Sequence, residues 1–298
     1  MTEGLVGGEG FAVDASLIRA DANRQTDGPG SEGLPPDADN RATREYLAVL
    51  DDAAFGAATP VVPKFLAPTD PASRWTCAHG GQACYAYSTN YLTDLDHAVI
   101  MDVEASTAVR QAEVTACKRM IARTQDRFGV WPERLAADTG YGSAEMLAWL
   151  VHERDIHPHI PVFDKSVRHD GIFERADFSY DIERDLYRYR ARKAACDACA
   201  LRPRCCPNSL QRKILRSIHE GARDLTRDIA TTDACVTSRR EWETVEMLFA
   251  HLKRILKLDR LRLRRPNGAK DAFLLAATAQ NLRKMARLIP LTAQPLPV

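Results

Sequence analysis

No stretch of this 298-residue chain approaches the roughly 18 consecutive apolar residues of a membrane span. Its first residues lack the basic region and apolar core of a secretory leader. Both absences predict a cytoplasmic protein with no membrane partner. The chain also lacks the cysteine framework of a small secreted domain. Of its eight cysteines, four crowd into Cys196-Asp-Ala-Cys199 and Cys205-Cys206, which suits metal binding better than disulfides.

There is little net charge, only +1, but the balance hides opposed ends. Residues 1–64 carry eleven Asp/Glu against five Lys/Arg, whereas 239–287 carry thirteen Lys/Arg against five Asp/Glu. A basic C-terminal stretch is an electrostatic footprint for polyanions, with a solvated helix face as the plainer alternative. At 45% hydrophobic and 27% charged, the composition is that of a globular protein able to bury a core in one large or two modest domains.

Residues 1–81 read as a partly irregular segment, broken by Gly7-Gly8, Gly28-Pro29-Gly30 and Gly33-Leu-Pro-Pro36, with one short helical pattern from Thr43 to Ala54. From Gln82 the chain turns aromatic and β-branched, and two strands are expected, the first reaching Asp94 and the second covering Ala98–Val103. Ala108 to Phe128 has helical spacing. Arg134-Leu-Ala-Ala-Asp138 reads as a short buried strand ending on an acid, Thr139-Gly-Tyr-Gly142 as a turn, and Ser143 as the cap of a helix. Ile156–Phe163 supplies another strand. The succession predicts an α/β fold with a mixed sheet and acids at strand ends. Residues 82–165 then form the first part of a core, 166–218 a cysteine-containing insertion, and 219–298 the helices that complete it, running over about 220–238, 241–258 and 269–288.

Val245, Leu248, Leu252, Ile255 and Leu256 give the helix around Glu246 an apolar face. Glu246 and Lys253, seven residues apart, fall on nearly the same side and about 10 Å apart along the axis. A carboxylate there can hold a metal while the ammonium grips a phosphate; on one isolated helix, two separate surface charges are the plainer reading. Carboxylates arriving from distant points of a chain are what a two-Mg²⁺ phosphoryl-transfer site requires, because hard cations take oxygen ligands.

Tyr85-Ala-Tyr-Ser-Thr-Asn-Tyr-Leu-Thr-Asp94, Leu135-Ala-Ala-Asp-Thr-Gly-Tyr-Gly-Ser143, Val245-Glu-Met-Leu-Phe-Ala-His-Leu-Lys253 and Ala279-Gln-Asn-Leu-Arg-Lys284, in this order, resemble the insertion-sequence DDE transposases of bacteria, whose catalytic core is RNase H-like. The resemblance implies a mixed sheet flanked by helices, with the cysteine insertion between the second and third catalytic acids. It implies Asp94, Asp138 and Glu246 as the catalytic triad and ligands of two Mg²⁺ or Mn²⁺ ions, with Lys253 completing the Tyr-Arg-Glu-Lys signature. Asp96 and Asp102 compete with Asp94 for the first position, and a helix cap is the alternative role for Asp138. Such a site cleaves a DNA phosphodiester with water and then transfers the liberated 3′ end to target DNA, with double-stranded DNA as partner and a homodimer as the working form. Lys253, Arg254, Lys257, Arg260, Arg262, Arg264 and Arg265 are expected to neutralise phosphates without reading sequence.

Cys196, Cys199, Cys205 and Cys206 can supply the four thiolates of one Zn²⁺, although adjacent cysteines rarely face one metal, and free thiols are the alternative. His157 and His159 read as structural. Trp242 stands where the signature has Arg, and an indole cannot make the bidentate phosphate contact of a guanidinium; Arg239 or Arg240 is the nearest substitute. Against the family pattern the chain begins near Ala-Val-Asp14, as a shortened copy would. The remaining readings are therefore a DNA-binding remnant of such a transposase and a structure-selective nuclease of the same fold.

Overall fold

The computed structural model describes residues 4–22, 24–34, 39–77, 80–163, 198–208 and 217–289, and the backbone of 180–181 and 186–187. Its centre is a six-stranded mixed sheet. We label its strands β1 (Gly10–Arg19), β2 (Arg74–Thr76), β3 (Cys84–Asp94), β4 (Ile100–Thr107), β5 (Arg134–Ala136) and β6 (His157–His159). The principal helices are α1 (Arg41–Ala48), α2 (Arg110–Phe128), α3 (Ala144–Ala148), α4 (Glu220–Ile229), α5 (Asp233–Arg254) and α6 (Arg265–Leu288).

β1 is the middle of this sheet. It runs antiparallel to β3, from Phe11↔Asp94 to Arg19↔Ala86, and parallel to β5, from Gly10↔Arg134 to Ala12↔Ala136. β6 extends the parallel side beyond β5. On the far edge of β3, β2 pairs residues 84–86 and β4 pairs residues 87–93. The helix α2 makes the crossover between the antiparallel and parallel halves, as a parallel connection requires.

Side chains alternate across the sheet and divide the core. Phe11, Val13, Leu92, Leu135 and Ala137 pack with Cys117, Met120 and Ile121 of α2 on one face. On the other, Ala12 and Ala136 meet Val245 of α5, and Ile18, Tyr87 and Tyr91 join Phe249 and Phe273. Tyr91 and Phe249 stack with centroids 4.9 Å apart, worth about 0.5–1.5 kcal/mol beyond their burial. Two alanines on this face let α5 lie close against β1 and β5.

The expected segment 1–81 is not separate from the sheet. It contributes β1, and Ala54, Phe55, Ala67 and Ala72 are buried in the core beside Tyr85 and Tyr87. The pattern misled because β1 is buried on both faces over its first half and so shows no clean alternation. The helical break expected near 239–240 lies instead at 230–232, where Thr232 Oγ1 accepts from Cys235 N at 3.2 Å and caps α5.

The Ala279–Lys284 motif is a clamp. Gln280 Nε2 donates to Leu248 O at 2.7 Å and its Oε1 accepts from Tyr91 OH at 3.0 Å, tying α6 to α5 and β3. Asn281 brackets Ile100, accepting from its N–H at 2.9 Å and donating to its carbonyl at 2.7 Å. Lys284 Nζ donates to His97 O at 2.6 Å and Ala98 O at 3.1 Å, holding a turn in which Ala98 adopts a left-handed φ of 51°.

Of the insertion, Cys196 lies outside the described residues. Cys199 is exposed, Cys205 half-buried and Cys206 buried.

Candidate active site

Register decides which acids can meet. β5 lies beside β1 up to Ala12↔Ala136, so Asp14 and Asp138, each two residues further on, continue along neighbouring strands from alanines that both face α5. Val245, seated on those alanines, sets the position of Glu246 directly after it. Asp14 is half-buried, while Asp138 and Glu246 are exposed.

The carboxylates of Asp138, Glu246 and Glu113 all act electrostatically on Asp14. Burial chiefly, and then these like charges, push Asp14 from 3.8 up to about 7 against the stabilising N–H of Ala15 at 2.7 Å. Lys253, seven residues after Glu246, feels Asp14 as a stabilising charge while its own burial lowers its pKa.

Asp138 carries a second duty. Its Oδ1 accepts from Gly140 N at 2.8 Å and caps the 3₁₀ turn Thr139–Tyr141, whereas α3 is capped by Ser143. Both glycines of Thr139-Gly-Tyr-Gly142 answer to crowding. A Cβ on Gly140 would stand 2.7 Å from Asp138 Oδ1, and one on Gly142 would stand 2.0 Å from Pro161 O.

Asp94 is not brought to this group. It pairs with Phe11, three residues from Asp14, which places it about 10 Å along the strand and on the α2 face of the sheet. Fully buried there, it accepts from Gly7 N at 3.0 Å, Gly8 N at 3.2 Å and His97 N at 3.0 Å. Asp102 is paired with Arg123 at 2.7 Å and belongs to an ion-pair network with Glu104 and Arg119. Asp96 stands beside Gly7, at the same far end.

Sequence reasoning passed over Asp14. The available signal was a lone acid inside an apolar run, Phe11-Ala-Val-Asp-Ala-Ser16, obscured by the glycines before it.

Asp14, Asp138 and Glu246 form an all-oxygen donor set, which fits a hard dication such as Mg²⁺ or Mn²⁺. Among the described residues no three of His, Cys, Asp or Glu are already drawn around a single point, at these acids or at Cys199, Cys205 and Cys206. Asp138 and Glu246 nonetheless act electrostatically on Asp14, and of the three only Glu246 is exposed with no bond holding its carboxylate among the described residues. A pocket opens at Asp138, lined also by His159, Arg239 and Trp242. Burial lowers His159 to about 4, so its ring is neutral near pH 7. Trp242 packs against the Ala12–Val245 cluster, with its Nε1 buried and without a hydrogen-bond partner among the described residues.

The basic stretch divides. Arg260 and Arg264 both bind Asp21 at 2.5 Å, and Arg265 lies 3.8 Å from Glu45 with its N–H on Asp70. Arg254, Lys257 and Arg262 are exposed.

The raised Asp14 has a measurable signature. Between about pH 4 and 7 the folded chain holds a proton there that the unfolded chain has released, so this contribution to stability is lost as pH rises through 7. His159 acts in the opposite sense, losing stability as pH falls below 6.5, so the test is a difference. Urea unfolding of metal-free chains should show Asp14→Asn gaining on the wild type by up to a few kcal/mol from pH 5 to pH 8. A constant difference would place Asp14 in ordinary solvent.

No helix among the described residues is long and apolar enough to cross a membrane. No curated protein and no solved structure matches the chain. The family model described as "Transposase DDE domain" matches residues 7–282, from just before β1 almost to the end of α6. With this match over most of its length, and a mixed sheet flanked by helices that agrees with an RNase H-like core, the chain belongs to the DDE transposase family.

Proposed function

We propose that this chain cleaves DNA and transfers the cut 3′ end to target DNA, as the transposase of an insertion sequence, with Asp14, Asp138 and Glu246 as its catalytic acids. The observation that carries the reading is the convergence of these three carboxylates from β1, the end of β5 and α5 on one face of the sheet. These acids would hold a divalent cation, Mg²⁺ or Mn²⁺, which when bound would neutralise phosphate charge and activate the attacking oxygen.

The protein's own groups do the rest. Asp14, on the central strand, is the rigid member, and Asp138 is fixed by its bond to Gly140. Glu246 is exposed and can adjust. On α5, Arg239, Glu246 and Lys253 recur every seven residues, so they form one stripe with about 10 Å between members. In this reading Lys253 holds a phosphate near the acids. Arg239, beside Asp138 in the pocket, takes the phosphate role of the signature Arg that Trp242 replaces. Arg254, Lys257 and Arg262 extend the basic surface along the DNA. Water attacks phosphorus, the P–O3′ bond breaks, and the freed 3′-OH is the second nucleophile. Because two ends must be joined, the working form is a dimer.

The test is nicking of supercoiled DNA with Mg²⁺ or Mn²⁺ by the purified chain beside Asp138→Asn. Nicking that the substitution abolishes is expected. No nicking by the unsubstituted chain would favour a DNA-binding remnant instead.

A further inference from the structure

Three arginines from distant parts of the chain line one open cleft away from the acids. Arg41 opens α1, Arg264 and Arg265 stand where α6 begins, and Pro68 and Thr69 of the loop before β2 complete the lining. Both helices lie on the face of the sheet that carries α5, since Tyr46 and Phe273 pack in one cluster with Phe249.

Two of the guanidiniums are tied at the root and open at the tip. Glu45 Oε1 accepts from Arg41 Nε at 2.7 Å and Asp21 Oδ2 from Arg264 Nε at 2.5 Å, and no bond among the described residues reaches the terminal nitrogens of either. Arg265 Nη1 stands 3.8 Å from Glu45, beyond hydrogen-bond length. The planar fork of a guanidinium is what takes two oxygens of a phosphate in parallel bonds. Counting Arg260, which shares Asp21, four arginines meet Asp21, Glu45 and the buried Asp70, so the balance of charge stays positive.

The ordinary explanation is a set of surface ion pairs that steady the fold. Arg41 and Arg264 keep 74% and 56% of their side chains exposed, and pairs that open contribute little. Ion pairing also leaves Arg265 unexplained. Its backbone is held at a left-handed φ of 75°, which a long side chain rarely adopts, and its N–H is fixed on Asp70 at 3.2 Å. Glycine would meet the same backbone need without strain.

β1 joins the cleft to the acids. Arg19 bonds Asp259 and Leu261, and Asp21, just beyond it, holds Arg264. The run from Asp14 to Asp21 puts the cleft on the order of 20 Å from the acids. That interval is roughly six base pairs of duplex. Resting on the reading that this chain acts on DNA, we propose that the cleft of Arg41, Arg264 and Arg265 seats a backbone phosphate of the bound duplex, away from the one being cut. A free phosphate compound offers the same chemistry, but the basic segment from Lys253 to Arg264 leads from the acids to the cleft and favours a continuous strand. The seat sets how the duplex lies on the acids and reads no sequence.

The experiment is fluorescence anisotropy of the full chain on a labelled duplex of arbitrary sequence, long enough to pass the cleft from the acids, over a series of salt concentrations. Arg41→Ala should weaken binding about three- to tenfold and lower the slope of log affinity against log salt by about one, as one lost phosphate contact does. Arg44→Ala is the control, because Arg44 is exposed on the same helix and carries the same charge but does not line the cleft. It should change both quantities much less. Equal effects of the two substitutions would reduce the cleft to diffuse surface charge and overturn the proposal. Arg265→Gly, which relieves the left-handed backbone, should weaken binding as Arg41→Ala does while the melting temperature stays unchanged or rises. A lower melting temperature with DNA affinity intact would assign Arg265 to the fold alone and count against the seat. Inorganic phosphate at constant ionic strength tests the other source. If it raises the melting temperature, and Arg41→Ala removes that rise without weakening DNA binding, the seat belongs to a free phosphate compound and the DNA assignment fails. Nicking separates the two levels. Nicking that needs Asp138, with Arg41→Ala and Arg44→Ala binding alike, sinks the seat alone; no nicking, with the contrast between the arginines intact, sinks the catalytic reading and leaves the seat.

Discussion

Asp14→Asn is expected to reduce metal-dependent nicking by roughly 10²–10³-fold or more, the scale of removing one preorganised electrostatic group from an active site. Asp94→Asn is expected to leave it near the level of the unsubstituted chain. The two acids are alternatives for one role, and the register of β1 on β3 separates them. Asp14 pairs with Tyr91 on the face where α5 brings Glu246, whereas Asp94 pairs with Phe11 on the face covered by α2. Because side chains alternate with a period of two, an offset of three residues changes both the position along the strand and the face. Asn at 14 preserves shape and removes the charge that would hold a cation. At 94 the single oxygen of Asn still accepts from the N–H groups of Gly7 and Gly8, which share Asp94 Oδ1, and only the bond from His97 N–H to Oδ2 is lost. Nicking assays at equal protein and saturating Mn²⁺ distinguish the two outcomes, and a dead Asp94→Asn beside a live Asp14→Asn would reverse the assignment.

The second large effect is on stability. Asp94→Ala should destabilise the chain by on the order of 3 kcal/mol, because it strips the acceptor from Gly7, Gly8 and His97 at a fully buried position. These bonds close the N-terminal segment onto the β3–β4 turn, which Lys284 also holds through the carbonyls of His97 and Ala98. Gly7 is exposed and Gly8 and His97 are half-buried, which keeps the loss below three fully buried unsatisfied groups. The urea midpoint should fall with little change in slope. Asp14→Ala, which has no comparable set of long-range amide donors, should not share the loss, so the two alanine variants invert the pattern of the activity assay.

The places of Asp138 and Glu246 in the fold, a strand end and an apolar-faced helix, were legible because each signal was local. A three-residue apolar strand ending on an acid and followed by Gly-x-Gly reads directly as β5 and its turn. Seven-residue spacing on an apolar-faced helix places Glu246 and Lys253 together wherever that helix docks. The order of strands and helices after residue 82 followed from periodicity in the same way. Asp14 was not legible, since a strand buried on both faces carries no alternation and its acid interrupts the apolar run that marks it. Asp94 sits at the end of an aromatic strand, where an active-site acid is expected, and only pairing shows which face it takes. The Asn281 clamp on Ile100 likewise joins residues 181 positions apart.

A cation held between β1, the end of β5 and α5, as proposed, can be located directly. Replacing Mg²⁺ by Fe²⁺ in the purified chain and adding ascorbate and peroxide generates hydroxyl radical at the bound ion, which cuts the nearest backbone. Mapping the fragments by mass should show metal-dependent cuts clustered near residues 14, 138 and 246. Cuts clustered around 94–97 and 7–8, with none near 14, would place the ion at the other end of the sheet and contradict the account.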